Sequence, residues 1–162
     1  MKGRTGSADK TNVMRELDSK NIPYISRYYA ADPSLTGVQI AGLLGEPADH
    51  VFKTLITQGR SNRNYVFVIP VEAELDLKKA AKAVGEKSVE MIRQKDLLPL
   101  TGYVHGGCSP IGMKKAFPTF VHRSAAELDR IYVSAGKVGA QIEIDAQTLI
   151  SVISGVFADL VV

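Results

Sequence analysis

One lysine lies in an apolar stretch and is the first residue whose surroundings suggest chemistry. Residues 51–57 have the composition of a β-strand. In a regular strand, Lys53 would share a face with Val51 and Leu55. Burying an unpaired ammonium costs free energy. Lys53 therefore either positions an anion or a developing oxyanion at a pocket, or carries its charge to water at a sheet edge. The pattern alone favours the second interpretation.

A glycine-rich segment, residues 102–112, is the second candidate. Four glycines in eleven residues exclude a helix or an ordinary strand. The backbone N–H groups of such a loop can turn inward and bind an anion or a carbonyl oxygen. A long surface turn explains the composition equally well. The small residues from Ser134 to Gly139 follow a predicted strand and allow the same two interpretations.

A cysteine nucleophile and a metal site are both poorly supported. Cys108 has His105 three residues before it, and a base is what a thiol nucleophile requires. A small apolar filler is the favoured interpretation of this lone cysteine. The three histidines do not have metal-ligand spacing, so we expect no metal and no cofactor.

The elements that must position these residues form an irregular α+β pattern. Helices are predicted over 9–20, 36–44, 75–84, 93–98 (ended by Pro99) and 146–153. Strands are predicted over 24–29, 51–57, 65–69, 86–91, 119–122, 131–134 and 140–144, with 156–162 as a packed tail. We therefore expect a curved, mixed, mostly antiparallel sheet flanked by helices. Residues 10–162 should form one domain after a flexible N-terminus, residues 1–9.

Composition places few further limits on function. The chain has 162 residues, 45% of them hydrophobic, and a net charge of +3, which permits a polyanionic partner without requiring one. No apolar run approaches the roughly 20 residues of a membrane span. One cysteine and no secretory signal favour a cytoplasmic protein.

Four motifs in order resemble one known family. They are Val51-Phe52-Lys53-Thr54-Leu55, Leu75-Asp76-Leu77-Lys78-Lys79, the glycine segment with Gly106-Gly107-Cys108-Ser109-Pro110, and Ile131-Tyr132-Val133-Ser134-Ala135-Gly136-Lys137. Together they resemble the YbaK/EbsC family of free-standing aminoacyl-tRNA deacylases, related to the editing domain of bacterial prolyl-tRNA synthetases. The resemblance covers nearly the whole chain.

The resemblance implies release of a mischarged amino acid, typically cysteine from Cys-tRNA(Pro), with Cys-tRNA(Cys) as a further substrate. In such enzymes the substrate thiol is thought to attack its own ester, so the protein needs no nucleophile. The resemblance also implies prolyl-tRNA synthetase as a partner in a ternary complex with tRNA. An Ala- or Ser-specific editing hydrolase of the same fold and a non-catalytic tRNA- or synthetase-binding module are the alternatives.

Site residues carry over position by position. Lys53 matches the essential lysine. The substrate-binding positions are Tyr29, Thr54, Tyr103, Gly106, Gly107, Ser134 and Gly136. Gln141 stands where many members have an acidic residue, so the resemblance implies no acid–base role there.

Overall fold

The computed structural model describes residues 10–162, which contain five α-helices and eight β-strands. The helices are α1 (Asn12–Ser19), α2 (Gly37–Leu44), α3 (Leu77–Val84), α4 (Gln94–Thr101) and α5 (Ala146–Ile153). The strands are β1 (Ile25–Tyr28), β2 (Phe52–Gly59), β3 (Asn64–Pro70), β4 (Val89–Met91), β5 (Thr119–His122), β6 (Arg130–Lys137), β7 (Ala140–Asp145) and β8 (Val156–Ala158). Short 3₁₀ helices, Ala48–His50 and Arg123–Glu127, precede β2 and β6. The predicted flexible segment lies outside the described residues.

Polar caps fix where the helices begin. The Thr11 hydroxyl accepts a hydrogen bond from the Met14 N–H at 3.2 Å and starts α1. Thr36 and Gln39 form a reciprocal capping box at the start of α2. Asp76 accepts two backbone N–H groups, so α3 begins after it rather than at residue 75 as predicted. Gly45 closes α2 in the left-handed conformation, with a φ of 71°.

The strands form two hydrogen-bonded sheets. One has the order β1-β7-β6, and the other has the order β4-β2-β3-β5-β8. Among the described pairs, β3–β5 and β5–β8 are parallel and the rest are antiparallel, which confirms the mixed, mostly antiparallel prediction. A bridge between Val51 and Tyr132 joins the two sheets at the start of β2.

The main core lies between the two sheets. Phe52 and Ile56 of β2 pack in one cluster with Val133 of β6 and Ile142 of β7. The opposite face of β3 packs through Phe67 in a second cluster that includes α3. Strand β3 is therefore covered on both faces, which explains a strand without polar alternation. This packing fixes the start of β2 against the β1-β7-β6 sheet.

The end of α4 and the residues of β8 were also predicted wrongly. Helix α4 continues through Pro99 to Thr101 and ends at Gly102, whose φ is 83°. Proline removes one backbone donor from the helix, yet the helix continues past it for two residues. In its last turn the Thr101 hydroxyl donates to the Leu97 carbonyl at 2.8 Å. Residues 156–158, predicted as part of a tail, form strand β8 parallel to β5. An edge strand of three residues gives too short a pattern to recognise in sequence.

Candidate active site

A cavity of about 370 Å³ opens where the start of β2 meets the glycine segment and the β6–β7 hairpin. We call it the β2 cavity. Its lining residues are Ser34, Leu35, Thr36, Gly37, Ile40, Val51, Phe52, Lys53, Thr54, Leu55, Val71, Leu97, His105, Gly106, Cys108, Ser134 and Gln141. The cavity thus brings Lys53, Thr54, Gly106 and Ser134 together from three separate parts of the chain.

Lys53 contributes an unpartnered cation to this cavity. It pairs across the sheet with Ile69 of β3, and β4 covers only the far end of β2, from Thr57 to Gly59. Within residues 10–162, the Lys53 ammonium makes no hydrogen bond or close ion pair. Burial lowers the pKa of Lys53 below its ordinary 10.5, and the more distant charge of Glu74 opposes this shift. Lys53 therefore bears the cost of partial burial without the compensation of a close partner.

Two neutral side chains in the cavity also have polar oxygens without partners. The hydroxyl oxygen of Thr54 and the carboxamide Oε1 of Gln141 are both buried and make no hydrogen bond within the described residues. Gln141 lies opposite Ser134 in the β6–β7 register. Buried polar groups are normally satisfied. Two unsatisfied oxygens in one cavity, beside an unpaired cation, are typical of a site that receives a polar ligand.

The glycine segment forms a closed loop that is pinned against the β6–β7 hairpin. Its base is joined by a hydrogen bond from the Lys114 N–H to the Thr101 carbonyl at 3.0 Å. A Cβ atom on Gly107 would lie 2.9 Å from both the Lys137 Cα and the Val138 nitrogen. Only glycine allows this close approach of two backbones. The contact fixes the loop over the cavity, which a free surface turn would not achieve.

The hydrogen bonds of the loop decide which N–H groups remain for a ligand. The Gly107 N–H donates to the Val104 carbonyl at 2.9 Å, and the Gly136 N–H donates to the Ser134 hydroxyl at 3.2 Å. Both groups are therefore occupied inside the protein. In the described part of the chain, the N–H groups of Gly106 and Cys108 have no such partner. Of the backbone N–H groups expected to bind a ligand, these two therefore remain available. Gly106 is the one of them whose N–H we consider further, since Gly106 lines the cavity.

Four of the predicted substrate-binding residues do not line the cavity: Tyr29, Tyr103, Gly107 and Gly136. The Tyr103 hydroxyl donates to the Ile111 carbonyl. Its ring approaches Gly136, where a Cβ would lie 3.1 Å from the Tyr103 Cε1. Burial raises the pKa of Tyr103 to about 12. These contacts brace the glycine loop against β6 from behind.

Tyr29 lies on another side of the cavity wall. It packs against a cluster that contains Ile40, Val51 and Val71, three residues that themselves line the cavity. Its hydroxyl is buried and has no hydrogen-bond partner within residues 10–162. Its backbone N–H donates to the Gly139 carbonyl at 3.0 Å, which ties this segment to the hairpin. Direct contact of Tyr29 with a ligand therefore stays a prediction.

Cys108 lines the cavity but lacks the surroundings of a nucleophile. Burial raises the pKa of its thiol to about 12, and a hydrogen bond with Thr101 opposes the shift. Nucleophilic cysteines need the opposite, a stabilised thiolate. The His105 ring makes no hydrogen bond to it or to any other described residue. This agrees with the interpretation of Cys108 as a filler.

Some lining residues could not be found from the sequence. Leu97 and Val71 belong to segments with ordinary apolar patterns, and nothing in those patterns marks them as cavity residues.

Residues 10–162 contain no cluster of three or more potential metal ligands. No helix in this part of the chain is long and apolar enough to cross a bilayer. What the cavity offers is a cation, an open N–H group and unsatisfied oxygens, a set suited to a polarised carbonyl.

Comparison with known proteins identifies the family of this chain. The sequence model of the aminoacyl-tRNA editing domain family matches residues 32–152. The chain is 46% identical over 152 residues to a protein of Enterococcus faecalis provisionally named Cys-tRNA(Pro)/Cys-tRNA(Cys) deacylase EbsC, covering 93% of each chain. It is 25% identical over 114 residues to a proline–tRNA ligase of Fervidobacterium nodosum, of which it spans 20%.

Solved structures share the fold. The crystal structure of the hypothetical protein APE2540 has a TM-score of 0.84 and 23% identity, covering 93% of this chain and 99% of that one. A protein provisionally described as a trans-editing enzyme for prolyl-tRNA synthetase has a TM-score of 0.80 and 21% identity, covering 93% and 94%. The family match spans most of the chain and includes Lys53 and the glycine loop. The chain therefore belongs to the aminoacyl-tRNA editing domain family.

Proposed function

We propose that this protein is a trans-editing deacylase that releases cysteine from mischarged Cys-tRNA(Pro). The observation that carries the proposal is the unpartnered Lys53 ammonium in the same cavity as Gly106, with no activated protein nucleophile beside it. The 46% identity to the provisionally named Enterococcus faecalis deacylase supports this choice of amino acid and tRNA, and extends it to Cys-tRNA(Cys).

The proposed reaction uses the thiol of the substrate. The cysteinyl sulfur attacks the ester carbonyl carbon, and the C–O bond to the terminal ribose breaks. The thiol proton ends on the departing ribose oxygen, and the amino acid leaves as a cyclic thioester. Lys53 and the Gly106 N–H stabilise the negative charge that develops on the carbonyl oxygen. The enzyme's contribution is to hold the thiol and the ester in an attacking geometry.

Selection in this proposal depends on reactivity more than on size. A cavity of about 370 Å³ is larger than a cysteinyl group, so exclusion by volume alone does not single out cysteine. Hydrophobic pockets discriminate weakly between side chains of similar size. An ester without a thiol can bind in the cavity but carries no attacking atom. The protein therefore leaves correctly charged Pro-tRNA(Pro) intact.

Selection of the tRNA is assigned to a partner. The net charge of +3 is modest for a protein that must hold a polyanion by itself. We infer a ternary complex in which prolyl-tRNA synthetase supplies the tRNA. Adding the synthetase should raise the deacylation rate at low enzyme concentration, most strongly at high salt.

A deacylation panel tests the proposed function. Purified protein is incubated with Cys-, Ala-, Ser- and Pro-tRNA(Pro), and loss of the aminoacyl group is followed against a buffer control. We expect rapid release of cysteine only. Preferred release of alanine or serine would instead indicate a hydrolase that activates water. Binding of tRNA without release of any amino acid would indicate a non-catalytic module.

A further inference from the structure

We propose that His105 is the stacking platform for the terminal nucleobase of the tRNA at the mouth of the β2 cavity. The inference rests on the proposed function, because it takes the substrate to be an aminoacyl ester of a tRNA 3′ end. It assigns a role to a residue that neither the proposed mechanism nor the packing of the core uses.

Substrate geometry places the nucleobase close to His105. The ester carbonyl must reach Lys53 and Gly106 inside the cavity. The ester oxygen belongs to the terminal ribose. The ribose and the base that it carries must therefore lie next to Gly106, no further away than the length of one nucleotide. His105 directly precedes Gly106 in the chain and also lines the cavity.

The local backbone presents the His105 side chain on a rigid turn. The hydrogen bond from the Gly107 N–H to the Val104 carbonyl makes residues 104–107 a β-turn. Gly106 has a φ of 88°, which fits the third position of a type II turn, with His105 in the second position. The close contact of Gly107 with Lys137 holds the turn in place. A preorganised platform loses little conformational entropy when a base stacks on it.

The ring has the properties that stacking requires. His105 is exposed, and its imidazole makes no hydrogen bond or ion pair within residues 10–162. Phe52 is the other aromatic ring lining the described cavity, and it is only 2% exposed. Val104 and Leu98 are 50% and 52% exposed, and both adjoin lining residues in the chain. Bases of single-stranded RNA commonly stack on aromatic side chains, histidine included.

The same base ends every tRNA, so this contact contributes affinity without selecting a tRNA. Stacking should lower KM for the tRNA ester and leave the chemical step unaltered. A simple ester such as cysteine ethyl ester has no base. Its turnover should not depend on the ring at position 105.

Steady-state kinetics with two substrates test the proposal. We expect His105→Ala to raise KM for Cys-tRNA(Pro) about tenfold with little change in kcat. Its kcat/KM for cysteine ethyl ester should equal that of the wild type. His105→Phe should restore KM because it keeps an aromatic face, and His105→Gln should not, because it keeps only polar atoms.

Equal losses on both substrates, an unchanged KM in His105→Ala, or rescue by His105→Gln would each overturn the proposal. A binding measurement separates this from failure of the proposed function. Fluorescence anisotropy with an uncharged acceptor-stem RNA needs no turnover. His105→Ala should weaken binding of the RNA ending in CCA and leave binding of the same RNA lacking its terminal adenosine unchanged. Equal binding of the intact RNA by both proteins would refute the stacking role even if no ester is cleaved.

Discussion

Lys53 and Arg27 are two partly buried cations with opposite surroundings. The Arg27 guanidinium donates to the Leu44 carbonyl at 2.8 Å and pairs with Glu143 at 3.4 Å and with Glu46 at 3.6 Å. It also lies 5.5 Å from the centre of the Tyr132 ring. Lys53 has no such partner within residues 10–162. Arg27 is satisfied by the fold, whereas Lys53 is left available to a ligand.

Polar groups without a positive charge show the same contrast between the inside and the outside of the cavity. The Glu86 carboxylate accepts hydrogen bonds from the hydroxyls of Ser61 and Tyr65, the latter at 2.6 Å. Thr54 and Gln141 in the β2 cavity have buried oxygens that find no partner among residues 10–162. Glu86, outside the cavity, is thus paired within the fold. Unpaired groups inside it indicate where binding free energy can be gained.

The largest expected effect is on activity, at Lys53. Lys53→Met keeps most of the length of the side chain and removes the charge that we propose to stabilise the oxyanion. We expect the single-turnover rate on Cys-tRNA(Pro) to fall by about 10²–10³-fold. The free energy of unfolding should not decrease, because no close partner is lost. Lys78→Met, at an exposed position of α3, is the matched control and should keep full activity. Wild-type rates in Lys53→Met would end the assignment.

The next effect concerns the loop that closes the cavity. Gly107→Ala places a methyl group 2.9 Å from the Lys137 Cα and must push the loop away from the hairpin. We expect deacylation to fall about tenfold or more, with about 1–3 kcal/mol of lost stability. Gly42→Ala is the matched control, since a Cβ there meets nothing within 4 Å. It should leave activity intact and stabilise α2 by up to about 1 kcal/mol. Equal behaviour of the two variants would contradict the close-approach argument.

Arg27→Met should reverse the pattern of Lys53→Met. It removes the cation that pairs with Glu46 and Glu143, although Glu143 keeps its ion pair with Arg130 at 3.0 Å. We expect a loss of about 1–2 kcal/mol in urea unfolding, less than for a fully buried pair because solvent screens the site. Deacylation measured well below the unfolding transition should be close to wild type. A large loss of activity without a loss of stability in Arg27→Met would contradict the claim that Arg27 serves the fold and Lys53 serves the ligand.

A smaller effect is expected from pH, at His122. Its Nδ1 accepts the Leu160 N–H at 3.2 Å, and it faces Asp159, Arg123 and Lys79. Burial lowers the pKa of His122 below its ordinary 6.5, and the charge of Asp159 opposes the shift. The unfolded chain therefore binds more protons than the folded chain below about pH 6.5.

Above pH 6.5, His122 should not make the free energy of unfolding depend on pH. As the pH decreases from 6.5 towards the pKa of His122 in the folded chain, the free energy of unfolding should fall. The urea midpoint measured between pH 7.5 and 5 checks this. His122→Gln should flatten the dependence, because glutamine does not titrate. A slope that persists in His122→Gln would assign it to other groups.

The smallest effect is expected at Cys108. Its thiol pKa of about 12 means that little thiolate forms near neutral pH. Cys108→Ala should change kcat/KM for Cys-tRNA(Pro) by no more than about threefold. Folded wild-type protein should react slowly with iodoacetamide and fast once unfolded. Abolished deacylation in a folded Cys108→Ala protein would restore the cysteine as a nucleophile.

The sequence predicted the parts of this architecture that depend on local chemistry. The helical spacing of apolar residues located α2 and α3, and the caps that Thr36 and Asp76 form in the structure explain where these helices begin. Lys53 was recognisable because a charge in an apolar strand conflicts with its neighbours. The prediction failed at Pro99, because the loss of one backbone hydrogen bond does not end this helix, which continues to Thr101.

The rest of the site depends on contacts between distant segments. That Gly107 uses its N–H in a turn while Gly106 keeps its own free follows from the folded loop, and composition cannot separate the two glycines. The hydrogen bond from the Tyr103 hydroxyl to the Ile111 carbonyl holds Tyr103 outside the cavity lining. This position likewise depends on how the loop folds back. The lining role of Leu97 requires knowing that α4 runs beside the start of β2.

The account holds that the chain supplies a cation and an open amide while the substrate supplies the attacking atom. Comparing Cys-tRNA(Pro) with the same tRNA carrying S-methylcysteine tests this most directly, because methylation blocks the thiol and adds only one methyl group. We predict single-turnover release of cysteine and no release of S-methylcysteine above the buffer rate, with both substrates bound equally well. Release of the two amino acids at similar rates would contradict the account and show that water is the nucleophile.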